Sequence, residues 1–511
     1  MNKAETVKNR SWSKFRKHRR GMVSLCLLVI LYVVSLFAEL LCNDKPIILK
    51  TEKGIFFPAY KTYTEDQLWG NGKHTRATDY GTLPQNSWAI YPIHKAGADT
   101  IFSAEDLKKH CRAILEVKPL YNSAYAKFSL DNELIFATGN TNALSKELSS
   151  IPLEKFANGI AARRENKAHS SIIIENDNAT ELILPAYSPR STTPDSYSII
   201  ITQNSPIASG IFFFNQSLID AQNIISKQAF SQYLDKNSSK QIIDALKQTI
   251  NGHYIAPITI TDSDGIPVAK LSFEMESVTW PFRPVSGHPF GFDAAGRDVL
   301  ARIVYGMRTA LTFGIVLVIA TMFLGIIAGA IQGYFAGWVD ITGQRLTEIW
   351  CALPFIYIII LLGNTLGRSF GLLLFCYAIF NWVGTAAYVR AEFLRLRGRE
   401  FVDAARCQGL SKTRIMFCHI LPNALTPLIT LLPFALVGAV GSLAMLDYLG
   451  FGMPDTAASW GALLQQAQAF RNAWWLILYP SLALFIVMLL GVFIGEGLRD
   501  ALDPKPYSRM E

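Results

Sequence analysis

The side chains that most often do chemistry in enzymes are scattered along this sequence. His110, His169 and His253 are far apart, and no motif links them to a nucleophile or a metal. Isolated histidines carry no site geometry, so we interpret them as surface or structural residues. The seven cysteines form no CxxC pair and no Cys/His spacing typical of metal sites. Gly409-Leu-Ser-Lys-Thr413 lacks the spacing and the second glycine of a phosphate-binding loop. The sequence therefore predicts no catalytic residue, no metal and no cofactor of its own.

The longest polar stretch in the apolar second half of the chain is residues 390–423. As far as Gln408 it carries apolar residues at helix-compatible spacing. Gly409 suits the left-handed position that ends a helix, and Ser411 can cap a second helix. Pro422 is expected to stop that second helix. The stretch predicts a helix, a glycine turn and another helix, held at both ends by membrane spans.

This stretch resembles the EAA loop of ABC importer permeases, whose pattern is E-A-A, three residues, G, nine residues, I-x-L-P. Here Asp403 stands for the Glu and His419 for the first Ile. In that family the loop is a coupling helix that docks into a groove on a cytoplasmic ATPase. The resemblance implies this role for the matching residues, which are Asp403, Ala404, Ala405, Gly409, Leu421 and Pro422. An ordinary charged loop is the first alternative. A DNA-binding helix-turn-helix is the second, and the flanking spans argue against it.

Further stretches resemble the oligopeptide/dipeptide branch of this family. Residues 287–302 are similar to its H-x-L-G-T-D-x-x-G-R-D-V-x-S-R signature before the second span, with Phe292 for Thr and Ala301 for Ser. The matching positions are Gly291, Asp293, Gly296, Arg297, Asp298 and Arg302. Residues 447–461 resemble its F-L-G-L-G-x-x-P…S-W-G external loop, and residues 495–504 its G-D-G-L-R-D-A-L-D-P ending. The first span with the residues after it resembles Yej-type permeases, implicated in uptake of microcin C and other peptides.

The composition predicts a mixture of membrane and water-exposed parts. Half of the 511 residues are hydrophobic, and the mean hydropathy is +0.23. Six apolar runs have about the length of a membrane span. They cover residues 22–41, 309–333, 347–363, 370–389, 424–446 and 473–495. Basic residues beside these runs place both termini and the loop 390–423 in the cytoplasm, by the positive-inside rule. The first run is longer than the apolar part of a signal peptide and lacks an A-x-A site, so we expect it to remain uncleaved.

Two groups of residues allow more than one interpretation. Asn381 and Thr385 are polar, lie four residues apart within a span and would share a helix face, so they are candidates to line a transport pathway. Ordinary helix packing is an equal alternative for Thr385. Residues 43–290 contain no span and alternate helix and strand signals, including a capping box at residues 103–106 that predicts a helix to about Val117. Within them, residues 103–275 exceed the shorter family members, and either dock a binding protein or form a tolerated insertion.

We therefore expect a mostly α membrane protein with six transmembrane helices of the ABC importer permease fold. The expected parts are 1–42 (basic N-terminus and first helix), 43–290 (periplasmic α+β insertion), 291–498 (permease core) and 499–511 (cytoplasmic tail). The resemblance implies an inner-membrane subunit that moves peptides inward, with ATP bound by partner subunits. The implied partners are a second permease subunit, cytoplasmic ATPases, a periplasmic peptide-binding protein and the lipid bilayer, with no nucleic acid. The alternative is a membrane-anchored periplasmic sensor or enzyme that acts through residues 43–290.

Overall fold

The fold is described from a computed structural model of the chain. The described residues are 12–69, 80, 83–84, 87–120, 122–129, 134–139, 172–176, 179–186, 196–203, 207, 209–215, 236–261 and 267–502. Their helices, after a short helical stretch at 12–17, are α1 Arg19–Leu36, α2 Ala38–Leu41, α3 Glu65–Trp69, α4 Ala104–Leu107, α5 Lys236–Ile250, α6 Val299–Phe335, α7 Gly337–Ala352, α8 Phe355–Leu366, α9 Phe370–Leu396, α10 Glu400–Cys407, α11 Lys412–Arg414, α12 Leu421–Tyr448, α13 Trp460–Ala469 and α14 Trp475–Leu502.

The strands form three antiparallel sheets. The strands are β1 Ile48–Thr51, β2 Gly54–Phe56, β3 Trp88–Ile90, β4 Ala113–Pro119, β5 Asn122–Ser129, β6 Leu134–Gly139, β7 Ile172–Asn176, β8 Ala179–Ala186, β9 Ser196–Gln203, β10 Gly210–Phe214, β11 Ile258–Thr261 and β12 Pro267–Met275. Their orders are β2-β1-β3, β10-β4-β12-β11 and β6-β5-β9-β8-β7.

The chain divides into two compact units. The helical unit comprises Met1–Ser103 and Thr279–Glu511, and the inserted unit comprises Ala104–Val278. The inserted unit is narrower than the expected segment 43–290, because residues 43–103 and 279–290 cluster with the membrane helices. Its limits agree closely with residues 103–275, the stretch that exceeds the length of the shorter family members.

The inserted unit has its own apolar core. β4 lies second in its four-stranded sheet, and alternate residues Ala113, Leu115 and Val117 are at most 1% exposed. They pack with Ile242 and Leu246 of α5. Because a strand places every second side chain on one face, this alternation favours a strand at 113–119. The expected helix from the capping box to Val117 is therefore wrong, since α4 ends at Leu107 and only a 3-10 turn follows it.

Five helical runs in the described part of the helical unit are long and apolar enough to cross a membrane. They are α1, α6, α9, the continuous run α11–α12 and α14. The pair α7 and α8 makes a sixth if counted as one span, but it is bent by 64°. The expected span at 347–363, which contains Pro354, is therefore divided. Leu353 has an extended backbone, which a residue before a proline favours, and Pro354 is the N-cap residue before α8.

A stripe of glycines brings α6 and α9 close together. A β-carbon added at Gly325 would lie 2.5 Å from Cβ of Thr385, and one added at Gly333 would lie 2.5 Å from Cβ of Phe393. Gly329, between them, faces the backbone oxygen of Ala386 at a still closer approach. Small residues four apart allow membrane helices to approach in this way. α9, which leads into α10, is thus packed closely along α6.

The loop after α9 differs from its expected outline at both ends. α9 ends at Leu396 and α10 begins at Glu400, so the first helix does not run unbroken to Gln408. The expectation that Pro422 stops the second helix is wrong, because residues 412–448 form one helical run. A π-helical turn, Ile415–Ile420, precedes the proline, which occupies the start of α12. The wider π turn relieves the clash between a proline ring and the carbonyl one turn earlier.

Candidate functional site

α10 is amphipathic and carries most of the residues that match the coupling pattern. Val402 and Ala405 are 0% and 3% exposed and belong to an apolar cluster with residues of α6, α9 and α12. Asp403 and Ala404 are exposed on the other side of the helix. The carboxylate of Asp403 accepts a hydrogen bond from Nη1 of Arg406 at 2.9 Å. The helix is therefore anchored by the apolar contacts of its buried side. Its exposed side carries the small side chain of Ala404 and the carboxylate of Asp403.

Gly409 ends α10 in the way that its sequence position predicts. Its φ is +71°, in the left-handed region that glycine adopts most readily. The N–H of Gly409 donates to the carbonyl of Arg406 at 2.9 Å, and the N–H of Leu410 donates to that of Ala405 at 3.3 Å. These two bonds form a Schellman motif. Ser411 then caps the next helix by accepting from the N–H of Arg414 at 3.4 Å, as expected.

The six matched residues belong to one compact region around a single apolar cluster. Leu421 is partly buried against the cluster that holds Ala405, whereas Pro422 is exposed. We name this region, residues 400–422, the coupling segment. Its backbone geometry is fixed by the helix cap and its position by the cluster. A force on the exposed face would therefore be transmitted to α6, α9 and α12.

The residues before the second span form a buried ionic network, which we name the re-entry segment (residues 287–302). Asp293 is 0% exposed and accepts hydrogen bonds from the backbone N–H groups of Ala295 and Arg297, each at 2.9 Å. The guanidinium of Arg297 donates to its other oxygen at 2.9 Å. Nε of Arg302 lies 3.6 Å from the same oxygen. Two arginines thus share one fully buried carboxylate.

Arg302 ties the start of α6 to two distant loops. Its side chain is 0% exposed and donates to the carbonyls of Ala98, at 3.3 Å, and Ala457, at 2.8 Å. Two glycines of the signature permit the close backbone packing around it. Gly291 and Gly296 have φ of +72° and +76°, and a β-carbon at Gly291 would lie 2.9 Å from the oxygen of Phe282. All six signature residues therefore maintain the architecture of this end of the helical unit.

Asp298 caps α6 and also meets two histidines. Its Oδ1 accepts from the N–H of Ala301 at 2.9 Å, and its Oδ2 lies 2.7 Å from Nδ1 of His288. Nε2 of His94 lies 3.0 Å from Oδ1. Burial alone would raise the pKa of Asp298, but the adjacent imidazoles and the Ala301 N–H lower it. Burial, and then the charge of Asp298, raises the pKa of the nearby Cys42 thiol to about 12.

The structure places the two pathway candidates in different surroundings. Thr385 packs directly against Gly325 in the α6–α9 contact, where a side chain serves helix packing. Asn381 is exposed, and its amide donates to the backbone carbonyl of Tyr377 at 3.0 Å. The i, i+4 spacing therefore does not bring both groups to one exposed surface. A pathway role for either residue stays a prediction.

Several polar contacts in the spans have no signal in the sequence. Arg390 of α9 binds both carboxylate oxygens of Asp340 in α7, fifty residues earlier. Arg308 of α6 pairs with Glu39 of α2 at 2.7 Å. Asp447 accepts a hydrogen bond from Ser459. In the sequence, Arg390 contributes only to the predicted orientation of the spans in the membrane. The partner of each of these residues becomes evident only from the fold.

Comparison with known proteins gives matches at both ends of the helical unit. The profile of the binding-protein-dependent transport system inner membrane component family matches residues 302–506. The profile of the N-terminal transmembrane domain of oligopeptide transport permease C matches residues 9–50. Among solved structures, a chain of the MetNI methionine ABC transporter is similar over 39% of this chain and 97% of its own length, at 17% identity and a TM-score of 0.31.

Three curated relatives align with about 43–44% of this chain. The peptidoglycan transport permease YejE of Agrobacterium fabrum is 45% identical, and the inner membrane ABC transporter permease YejE of Escherichia coli is 42% identical. The chain covers 58% and 66% of these two proteins. It covers 74% of the dipeptide transport permease DppC of Alkalihalophilus pseudofirmus, at 38% identity. The chain therefore belongs to the family of inner membrane components of binding-protein-dependent transport systems.

Proposed function

We propose that this chain is the inner-membrane permease subunit of an ATP-driven importer, with ATP bound and hydrolysed by partner subunits. The observation that carries the proposal is the coupling segment. Val402 and Ala405 anchor α10, while Asp403 and the small residue Ala404 are exposed. A small residue on an exposed, rigid helix allows the backbone of a partner to approach closely, as docking into a groove requires.

The proposed substrates are short peptides or peptide-like molecules. The names of the relatives refer to dipeptide, oligopeptide and peptidoglycan transport. Short peptides are the chemistry that these names share, since peptidoglycan strands are joined through peptides. The proposed assembly pairs this chain with a second permease subunit, cytoplasmic ATPases and an extracytoplasmic binding protein that delivers the peptide.

A bulky substitution on the exposed face of α10 tests the coupling role directly. In Ala404→Trp the indole occupies the surface proposed for the ATPase, while the buried side of the helix is unchanged. We expect the ATPase to be lost from the purified complex and peptide-stimulated ATP hydrolysis to fall to the basal level. Ala469→Trp is the matched control, because Ala469 is also an exposed alanine on a short helix, α13. An Ala404→Trp complex that keeps its ATPase and its uptake would exclude α10 as the docking helix.

The proposed orientation places both termini and the coupling segment in the cytoplasm, and the inserted unit outside. The chain supplies its own reporter, since Cys407 of α10 is exposed. Asn251, in the exposed turn after α5, provides the other position. With the remaining exposed cysteines Cys26, Cys351 and Cys418 replaced by serine, a membrane-impermeant maleimide should label Asn251→Cys in intact cells. It should label Cys407 only after permeabilisation. The reverse labelling pattern would refute the import orientation.

A further inference from the structure

Two histidines and an aspartate from two distant parts of the chain meet beside the start of α6. His94 follows β3, His288 lies in the re-entry segment and Asp298 is the N-cap of α6. One donor atom from each residue lies within 4.8 Å of the other two. The carboxylate oxygens of Asp298 lie 2.7 Å from Nδ1 of His288 and 3.0 Å from Nε2 of His94. We name these three side chains the His-His-Asp cluster.

One nitrogen of the cluster that could bind a metal ion makes no hydrogen bond. Nε2 of His94 is buried and makes no hydrogen bond, although Oδ1 of Asp298 is only 3.0 Å away. That oxygen already accepts the N–H of Ala301 at 2.9 Å. A buried imidazole nitrogen that lies near a carboxylate without a well-aligned hydrogen bond is not fully satisfied, which is costly. A cation between the nitrogen and the carboxylate would bind both lone pairs and remove that cost.

The ligand positions are fixed by backbone contacts and not by the side chains alone. The N–H of His94 donates to the carbonyl of Leu41 at 2.9 Å, and its carbonyl accepts from Asn43 at 3.1 Å. His288 exchanges backbone hydrogen bonds with Val285. Asp298 is held as a helix cap. The donor atoms are therefore positioned before any ion binds, which reduces the ordering cost of binding.

Aromatic rings surround the cluster on one side. The ring of His288 has its centroid 4.7 Å from that of Phe102 and 4.6 Å from that of Phe292. The side chains of His94 and His288 are only 13% and 16% exposed, and that of Asp298 is 0% exposed. An apolar shell of this kind limits the access of water to a metal ion. The site is enclosed but reaches the surface at the histidines.

We propose that His94, His288 and Asp298 bind one Zn²⁺ ion. Two imidazole nitrogens and one carboxylate oxygen suit zinc better than calcium or magnesium, which prefer oxygen ligands. Three protein ligands leave a fourth position, which water occupies in sites of this type. The ion joins the segment after β3, which contains His94, to the re-entry segment, which contains His288 and Asp298. Its role is to hold these two segments together, independently of ATP hydrolysis.

Zinc binding by the full-length protein, purified with a tag that contains no histidine, tests the proposal. The protein is treated with chelator, loaded with Zn²⁺, and titrated against a chromophoric zinc chelator while its metal content is measured by mass spectrometry. We expect about one tightly bound zinc per chain, and a higher unfolding temperature with zinc than with chelator, because a ligand bound only by the folded state stabilises it. Folded wild-type protein that takes up no zinc would overturn the proposal.

Variants separate the cluster from the other histidines of the chain. His94→Gln should weaken zinc binding by at least about tenfold, since even residues behind the ligands contribute 10- to 100-fold. His94→Cys keeps a ligand and should retain binding. His253→Gln is the matched control, because His253 is exposed in the inserted unit. Equal zinc affinity in His94→Gln and wild type would assign the binding elsewhere and refute the cluster. If His94→Gln does not fold, His288→Gln provides the same comparison.

Discussion

The coupling segment and the re-entry segment both contain an aspartate paired with an arginine three or four residues later. In the coupling segment Asp403 and Arg406 pair at 2.9 Å with side chains that are 60% and 46% exposed. In the re-entry segment Asp293 and Arg297 pair at the same distance, but the aspartate is 0% exposed. Water solvates the first pair, whereas the second depends entirely on its protein partners. The same pairing thus lies on a solvated surface in one region and fixes the backbone in the other.

Asp293→Ala should have the largest effect. It would leave two arginine side chains, 13% and 0% exposed, without their shared carboxylate. Removing one partner of a buried ion pair typically costs about 3–5 kcal/mol. We expect a strong loss of folded protein and a lower unfolding temperature in detergent. Asp455→Ala is the control, because Asp455 is 89% exposed and its contact with Arg368 is 3.7 Å long. If both variants unfold at the same temperature, the contrast between the two regions is wrong.

A pair of glycine substitutions measures the intermediate effect. Gly291 and Gly409 have nearly equal φ, +72° and +71°. Alanine in this left-handed conformation costs about 1–2 kcal/mol at either position. At Gly409 no atom lies within 4 Å of the added carbon, whereas at Gly291 the oxygen of Phe282 lies at 2.9 Å. Gly291→Ala should therefore be less stable than Gly409→Ala by at least about 1 kcal/mol. Thermal unfolding of the two variants checks this, and the opposite order would contradict it.

Asp403→Lys should have the smallest effect on stability and a large one on transport. Loss of an exposed ion pair changes the free energy of unfolding by at most about 0.5–1 kcal/mol. The charge reversal nevertheless lies on the face proposed for ATPase docking, where a mismatched charge costs several kcal/mol of binding. We expect peptide uptake by the reconstituted complex to fall at least about tenfold. Asp455→Lys controls for the reversal itself. Unchanged uptake in Asp403→Lys would remove Asp403 from the coupling face.

The sequence predicted local features best. Gly409 ends α10 as expected, and Ser411 caps the next helix as expected. Each depends on the conformational preference of a few neighbouring residues. Leu353 and Pro354 divide a span because of the same kind of local preference, which a hydropathy average does not detect.

The parts that could not be predicted depend on contacts between distant residues. The helix expected to reach Val117 is a strand because β10 and β12 pair with it, and both lie about a hundred residues or more further along the chain. His94 meets Asp298 only through the fold, across more than two hundred residues. Among the site residues, the signature positions could be found by their resemblance to the family, but their burial could not. The residue types alone do not show that Asp293 is buried and Asp403 is exposed.

The π-helical turn at Ile415–Ile420 also determines the rotational phase of everything that follows it. Such a turn holds one more residue than the α-helical turn that it replaces. Each residue of an α-helix advances the direction of its side chain by about 100°. If the same residues formed an ordinary α-helix instead, the extra residue would rotate α12 by about that angle relative to the residues before the turn. Ala424 and Leu428 would then leave the apolar cluster, although no residue of α12 had been changed. The turn therefore acts as a one-residue adjustment of phase between the coupling segment and the span that it joins.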